Sequence, residues 1–248
     1  MNGERRKLLG FDQRVRLEWL EAAAGYAAGG KSYDETRDAL LDLLDGVVGG
    51  RRYASARSKT VTVLCRVWGG IVPGTEGLRS RAVEVLPRVD AAERVVLHWA
   101  MSLAAYPFFA DVALIVGRLL ELQDEAPMTH IVRRAVELWG DREKVRGGSQ
   151  KIVRSMADWG CLTEASTKGV FRRRTPQLAV RGELASILAE AVLFGGEQSA
   201  VPLPQLLRHP ACFPFQLEVT AHDLRRSRRF EINRQGLDID VISLDARA

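Results

Sequence analysis

The side chains best suited to recognising a ligand lie in the stretch "SQKIVRSMADWG", residues 149–160. Its apolar residues are spaced as one face of an α-helix: Ile152, Val153, Met156 and Trp159. The opposite face carries polar side chains: Gln150, Lys151, Arg154 and Ser155. Glutamine and arginine can hydrogen-bond the edges of bases, and lysine and serine can also hold phosphate. This spacing predicts a DNA-contacting helix, and a solvated helix face is the alternative interpretation.

A second group of cations follows in two β-type runs, "CLTEA" and "GVFRRRT". The connecting "STKG" is polar and contains glycine, as a hairpin loop requires. The basic side chains here are candidates to contact the DNA backbone or the minor groove: Lys168, Arg172, Arg173 and Arg174. Since side chains alternate along a strand, Arg173 shares a face with Phe171 and opposes Arg172 and Arg174. A charged edge strand that prevents aggregation is the alternative.

Positive charge is concentrated along the chain, whose formal net charge is +5. Residues 142–181 contain ten basic and three acidic side chains, and residues 51–66 contain five basic side chains and no acid. Such clustering is the electrostatic footprint of a polyanion-binding protein. We therefore add Arg57 and Lys59 to the candidate DNA-binding residues, although they could equally lie on a solvated face.

Apolar periodicity predicts mostly helices. The predicted helices span residues 11–28, 33–44, 54–68, 78–86, 91–105, 107–123, 129–139 and 177–194. Ser32 and Glu35 form a capping-box pattern that opens the second of these helices. Ser149 is the expected N-cap of the DNA-contacting helix, and "GDREKVRGG" before it predicts only a short helical turn. Near the C-terminus, "RFEIN" and "LDIDVISL" predict two strands, with Asp238 and Asp240 on the solvent face.

These elements predict a mainly α fold with small β-hairpins. We expect a helical domain over residues 1–125, a winged helix-turn-helix over 126–196 and a small α+β segment over 197–248 that packs on the winged helix. Helix, short turn, helix and hairpin is the winged helix-turn-helix order, in which one helix lies in the major groove.

Three stretches resemble, distantly, the BrxA family of BREX phage-defence systems: "SARSKTVTVLCRVW", "HWAMSLAAYPFFADVA" and "SQKIVRSMADWGCL". The resemblance covers about residues 10–165. It implies an accessory protein of helical, winged-helix-like architecture that binds double-stranded DNA without catalysis. It also implies other defence-system proteins as possible partners.

Enzyme motifs are missing from the sequence. The four histidines have no ligand-like spacing with the three cysteines, and no phosphate-binding, dinucleotide-binding or nucleophile-elbow motif occurs. We therefore expect no enzymatic activity, no cofactor and no metal. A magnesium-dependent nuclease using Glu231, Asp238 and Asp240 is a remote alternative.

The expected location is the cytoplasm, because the cysteines are scattered and odd in number and no secretory signal pattern is present. The apolar run 95–120 is interrupted by His98, Pro107, Asp111 and Arg118, which favours two core helices over a membrane span. The sequence thus predicts a non-enzymatic double-stranded DNA-binding protein. A protein-interaction adaptor and a transcriptional regulator are the alternatives.

Overall fold

A computed structural model describes residues 9–50, 55–196, 200–236 and 239–245, and these residues are mainly helical. The helices are α1 (Leu17–Ala28), α2 (Tyr33–Leu43), α3 (Ala56–Trp68), α4 (Glu76–Val85), α5 (Arg94–Ala105), α6 (Pro107–Gln123), α7 (Met128–Trp139), α8 (Glu143–Asp158), α9 (Gly182–Gly195), α10 (Leu203–Leu207) and α11 (Ala221–Arg226). The strands are β1 (Ala126–Pro127), β2 (Leu162–Glu164), β3 (Val170–Arg173), β4 (Leu178–Val180), β5 (Ala200–Pro202), β6 (Phe215–Leu217), β7 (Phe230–Gln235) and β8 (Ile239–Leu244). Small β-sheets thus accompany the helices, as the sequence predicts.

The six helices predicted in the first half of the chain are confirmed as α1 to α6, with shifted ends. The capping box is present: the Glu35 amide donates to Ser32 Oγ at 3.3 Å, and the Ser32 amide donates to the Glu35 carboxylate at 2.8 Å. The largest shift is in α1, which begins at Leu17 instead of residue 11. The preceding residues 9–16 form an N-terminal strap that is not helical.

The region before Ser149 is a correction to the sequence-based prediction. The residues predicted as a short helical turn are the start of α8, which runs unbroken from Glu143 to Asp158. Ser149 is therefore not an N-cap but lies inside the helix, where its hydroxyl donates to the Val145 carbonyl at 2.7 Å. The reason is packing: a Cβ at Gly148 would lie 2.9 Å from the ring of Phe108, so glycine lets α8 approach α6 closely.

The predicted hairpin after α8 is confirmed. Strands β2 and β3 pair antiparallel, with Leu162 opposite Arg173 and Glu164 opposite Phe171. Strand β1 pairs with the other edge of β3, which gives the sheet order β1–β3–β2. The short sheet therefore joins the residues before α7 to those after α8.

The helix predicted over 177–194 starts later, at Gly182, because strand β4 precedes it and pairs in parallel with β6. The C-terminal strands β7 and β8 form the predicted antiparallel hairpin, with β5 on the other edge of β8.

The prediction that Asp240 lies on the solvent face of β8 is wrong. Asp240 lies on the same face as the fully buried Ile242 and pairs with Arg225 at 3.6 Å, whereas Ile239 is 51% exposed. The sheet packs on α9 and α11, which selects this face; Asp238 is outside the described residues.

An aromatic cluster connects distant parts of the chain. Trp159, just after α8, stacks on Phe109 of α6 at 5.6 Å and meets Phe11 of the strap edge-on at 6.4 Å. Trp99 of α5 contacts Phe213 near the C-terminal part at 5.4 Å. Helix α9 packs mainly on α5. The core is therefore continuous across the three predicted domains, and their boundaries at 125 and 196 stay a prediction.

A buried ion cluster, called here the Glu190 cluster, joins α9 to α4 and to the residue before β7. The Glu190 carboxylate is almost fully buried and accepts hydrogen bonds from the guanidinium groups of Arg81 and Arg229. The Arg229 Nη2–Oε1 distance is 2.9 Å. Because a buried carboxylate needs charged partners, this cluster fixes the C-terminal hairpin on the helical layer.

Among the described residues, no single helix has the length and apolar composition of a membrane span. Helices α5 and α6 meet those criteria only when taken together, and they are bent by 117° relative to each other. They form two core helices that meet at Tyr106 and Pro107, as the sequence predicts.

Candidate nucleic-acid interface

Three residues, Gly140 to Arg142, connect α7 to α8. Gly140 has a φ of +84°, a conformation that favours glycine and reverses the chain direction. Arg146 binds Asp141 through two hydrogen bonds of 2.8 Å, and Arg142 donates to the Trp139 carbonyl at 2.8 Å. The Arg146 hydrogen bond lowers the pKa of Asp141, because it stabilises the carboxylate form. Two of the cations counted in the sequence thus hold the turn itself.

The outer face of α8 carries the polar residues predicted to face DNA. Gln150 and Arg154 are both exposed and lie one helical turn apart. Neither side chain makes a hydrogen bond or an ion pair with another residue of the described part of the chain. Lys144, in the first turn of α8, is exposed as well. The face with Gln150 and Arg154 therefore presents donors that are free to bind a ligand, and Lys144 lies roughly 80° around the helix from Arg154.

The other two polar residues predicted on α8 serve the N-terminal strap. The Lys151 ammonium donates to the carbonyl of Asp12 at 2.7 Å, and the side chain is half-buried. Ser155 is fully buried, and its hydroxyl accepts from the Val15 amide at 2.8 Å and donates to the Lys151 carbonyl at 2.9 Å. Ser155 cannot reach a ligand on the protein surface, so its prediction as a DNA contact is wrong.

Two further contacts bind the strap to the C-terminal end of α8. Arg14 forms two hydrogen bonds of 2.6 Å with the carboxylate of Asp158, and Trp159 Nε1 donates to the Val15 carbonyl at 2.9 Å. The sequence did not predict this role, because the apolar residues of the strap continue the spacing of the helix after it. The strap holds one side of α8 and leaves the side with Gln150 and Arg154 exposed.

Two of the four cations predicted on the hairpin have no ion-pair partner among the described residues, and the other two are bonded or half-buried. Lys168, in the loop, and Arg174, after β3, are exposed and make no ion pair with a described residue. Arg172 is exposed but forms hydrogen bonds through Nε and Nη2 with the carboxylate of Glu125, the Nε distance being 3.0 Å. Arg173 shares a face with the buried Phe171 and is half-buried, with its Nε enclosed and unbonded.

The candidate residues on α3 are separate from this surface. Arg57 pairs with Asp45 and its side chain is only 17% exposed, so it is a poor candidate for DNA contact. Lys59 is exposed. The main contacts of α3 are with α1, α2 and α5, whereas α8 contacts α7, α6 and β2. The structure does not bring Arg57 and Lys59 to the α8 surface, and residues 51–54 are outside the described part.

Of the three carboxylates in the nuclease alternative, Asp238 is outside the described residues. Asp240 is engaged by Arg225. Within the described ranges, no three side chains of histidine, cysteine, aspartate or glutamate are grouped as a metal ion would require. The described residues of the C-terminal hairpin therefore include no such group, whereas the α8 surface presents donors without described partners.

The chain matches no protein-family model, no curated protein and no solved structure.

Proposed function

We propose that this protein binds double-stranded DNA, without catalysing a reaction on it, through the outer face of α8 and the β2–β3 hairpin. The observation that carries the proposal is the pair Gln150 and Arg154. Both are exposed, one turn apart and free of described partners. An arginine can donate to guanine O6 and N7 together, and a glutamine can bind adenine N6 and N7.

The order of elements supports this reading. Helix α6, strand β1, helices α7 and α8 and strands β2 and β3 follow one another, and the sheet order is β1–β3–β2. A helix pair joined by a short turn and followed by a hairpin has the order of a winged helix-turn-helix. In that arrangement α8 is the recognition helix and the β2–β3 loop is the wing. Lys168 would then lie on the wing, where a cation can contact the backbone or the minor groove.

A place in a bacterial phage-defence system, as an accessory component, is supported only by the resemblance of residues 10–165 to the BrxA family. A protein-interaction adaptor is the second candidate. The observation that supports it is that Leu122 of α6 and Leu138 of the adjacent helix α7 are 83% and 49% exposed, where apolar side chains of a partner protein could pack.

The test is a fluorescence-anisotropy titration of the wild-type protein with a labelled duplex of about 25 base pairs at about 50 and 200 mM salt. Four exposed cations that lack described partners are available on the α8 and hairpin surface: Lys144, Arg154, Lys168 and Arg174. If each neutralises one phosphate, affinity falls by roughly 100-fold between the two salt concentrations. Absence of binding at the lower salt concentration contradicts the proposal. A partner that co-purifies after nuclease treatment, with no DNA binding, supports the adaptor.

A further inference from the structure

A cavity of about 660 Å³ opens between α6, α9 and the segment 201–211. Its volume lies within the range of small-molecule sites, roughly 300 to 1,000 Å³. Apolar side chains form much of its wall: Leu103, Ala110, Leu114, Val192, Leu193 and Val201. None of the residues proposed to bind DNA lines this cavity.

Backbone contacts hold the walls of the cavity in place. A Cβ at Gly117 of α6 would lie 1.9 Å from the carbonyl oxygen of Pro210, so the helix and this segment touch directly. Trp99 Nε1 donates to the buried carbonyl of Ala211 at 3.0 Å. Both contacts attach the 210–211 wall to the helical core. The cavity is therefore formed before any ligand enters, which lowers the free-energy cost of binding.

The polar groups of the cavity are mainly donors. Arg118 on α6 and Arg208 after α10 are exposed, and neither makes a hydrogen bond or ion pair with a described residue. His209 Nδ1 accepts from the Ala211 amide at 3.3 Å, so the proton of the neutral ring is on Nε2. Asp111 already accepts from Trp139 Nε1 at 2.9 Å.

The charge of the cavity is net positive, because two guanidinium groups outnumber the carboxylate of Asp111 on its wall. Burial, together with the charge of Arg118, lowers the pKa of His209 to about 4, and this ring is neutral at pH 7. The two guanidinium groups thus supply the charge, and the histidine can add a hydrogen bond. Guanidinium groups bind carboxylate and phosphate through paired hydrogen bonds.

We propose that this cavity binds a small amphipathic anion. Its carboxylate or phosphate group would lie at Arg118 and Arg208, and its apolar body would pack against the wall that includes Leu114 and Val201. The inference goes beyond DNA binding and does not depend on it, because it uses different residues and its test contains no DNA.

The test is a ligand-observed NMR titration with three probes: 3-phenylpropionate, phenyl phosphate and the neutral 3-phenyl-1-propanol. We expect one of the two anions to bind about tenfold more tightly than the alcohol, because only an anion forms ion-paired hydrogen bonds with the guanidinium groups. Comparison of the two anions distinguishes a carboxylate site from a phosphate site. Arg118→Gln with Arg208→Gln should lower anion affinity about tenfold, to the level of the alcohol.

Two controls keep the result specific. Arg234→Gln removes an exposed arginine of β7 outside the cavity and should leave binding unchanged. Ala110→Leu places a larger side chain in the cavity and keeps both arginines. It should lower the affinity for all three probes. The proposal is overturned if neither anion binds below about 10 mM, if the alcohol binds equally well, or if the double arginine variant binds anions as the wild type does.

Discussion

Two serines of α8 provide a matched test of how the N-terminal strap is held. Ser149 and Ser155 are both fully buried on the same helix. The Ser149 hydroxyl bonds only the carbonyl of Val145, within the helix. The Ser155 hydroxyl bonds a carbonyl of the helix and also accepts from the Val15 amide of the strap, at 2.8 Å. Only the second serine therefore connects two parts of the chain.

Replacement of each serine by alanine should have different costs. Ser155→Ala leaves the buried Val15 amide without an acceptor, which destabilises the fold by about 1–3 kcal/mol. Ser149→Ala leaves no group unpaired, because the Val145 carbonyl still accepts the helical backbone bond. It also gains a little helix propensity, so its effect stays within about 0.5 kcal/mol.

The assay is equilibrium urea unfolding followed by circular dichroism, with hydrogen exchange of the Val15 amide as the local measurement. We expect a lower unfolding midpoint for Ser155→Ala and exchange at Val15 that is roughly tenfold faster or more. Equal unfolding free energies for the two variants, with unchanged exchange at Val15, would contradict the hydrogen bond between the Val15 amide and Ser155. Ser155 would then again be a candidate for DNA contact.

Three further predictions follow from other contacts. Glu190→Gln leaves the two arginines of the Glu190 cluster without their counter-charge and should cost about 3–5 kcal/mol of unfolding free energy, measured by urea titration. Because the folded-state pKa of His209 is about 4, below its ordinary 6.5, stability should fall as pH decreases from about 6.5 to 4. His209→Gln should flatten that part of a stability–pH profile. An unchanged profile would show that His209 does not cause this pH dependence. Glu125→Gln releases Arg172 from its ion pair and should tighten duplex DNA binding about fivefold; Glu231→Gln, the same charge change on exposed β7, should not.

Local signals in the sequence predicted much of the helical architecture. The Ser32–Glu35 capping box and Pro107 at the first position of α6 act within one turn, and both are confirmed. The hairpin after α8 was also predictable, because its loop residues and β-type runs are contiguous. Such signals need no knowledge of what the element packs against.

The errors arose where distant contacts decide the structure. Gly148 is unfavourable in a helix by propensity, yet it lies inside α8, where its lack of a side chain permits close contact with Phe108. The alternating apolar and acidic residues of β8 define two faces but do not determine which face is buried. Packing on α9 and α11 buries the face with Ile242. Ser155 has the composition of a DNA contact, but the strap that buries it is 140 residues away in the chain.

We propose the exposed cations of α8 and the hairpin as the DNA contacts. The most direct measurement is the salt dependence of duplex binding for Arg154→Ala with Lys168→Ala, compared with the charge-matched Arg37→Ala with Arg234→Ala. If both cations of the first pair contact phosphate, the slope of log affinity against log salt should decrease by about 1.8 for that pair. The second pair should keep the wild-type slope. Equal slopes for the two double variants, or no binding by the wild type, would contradict the account.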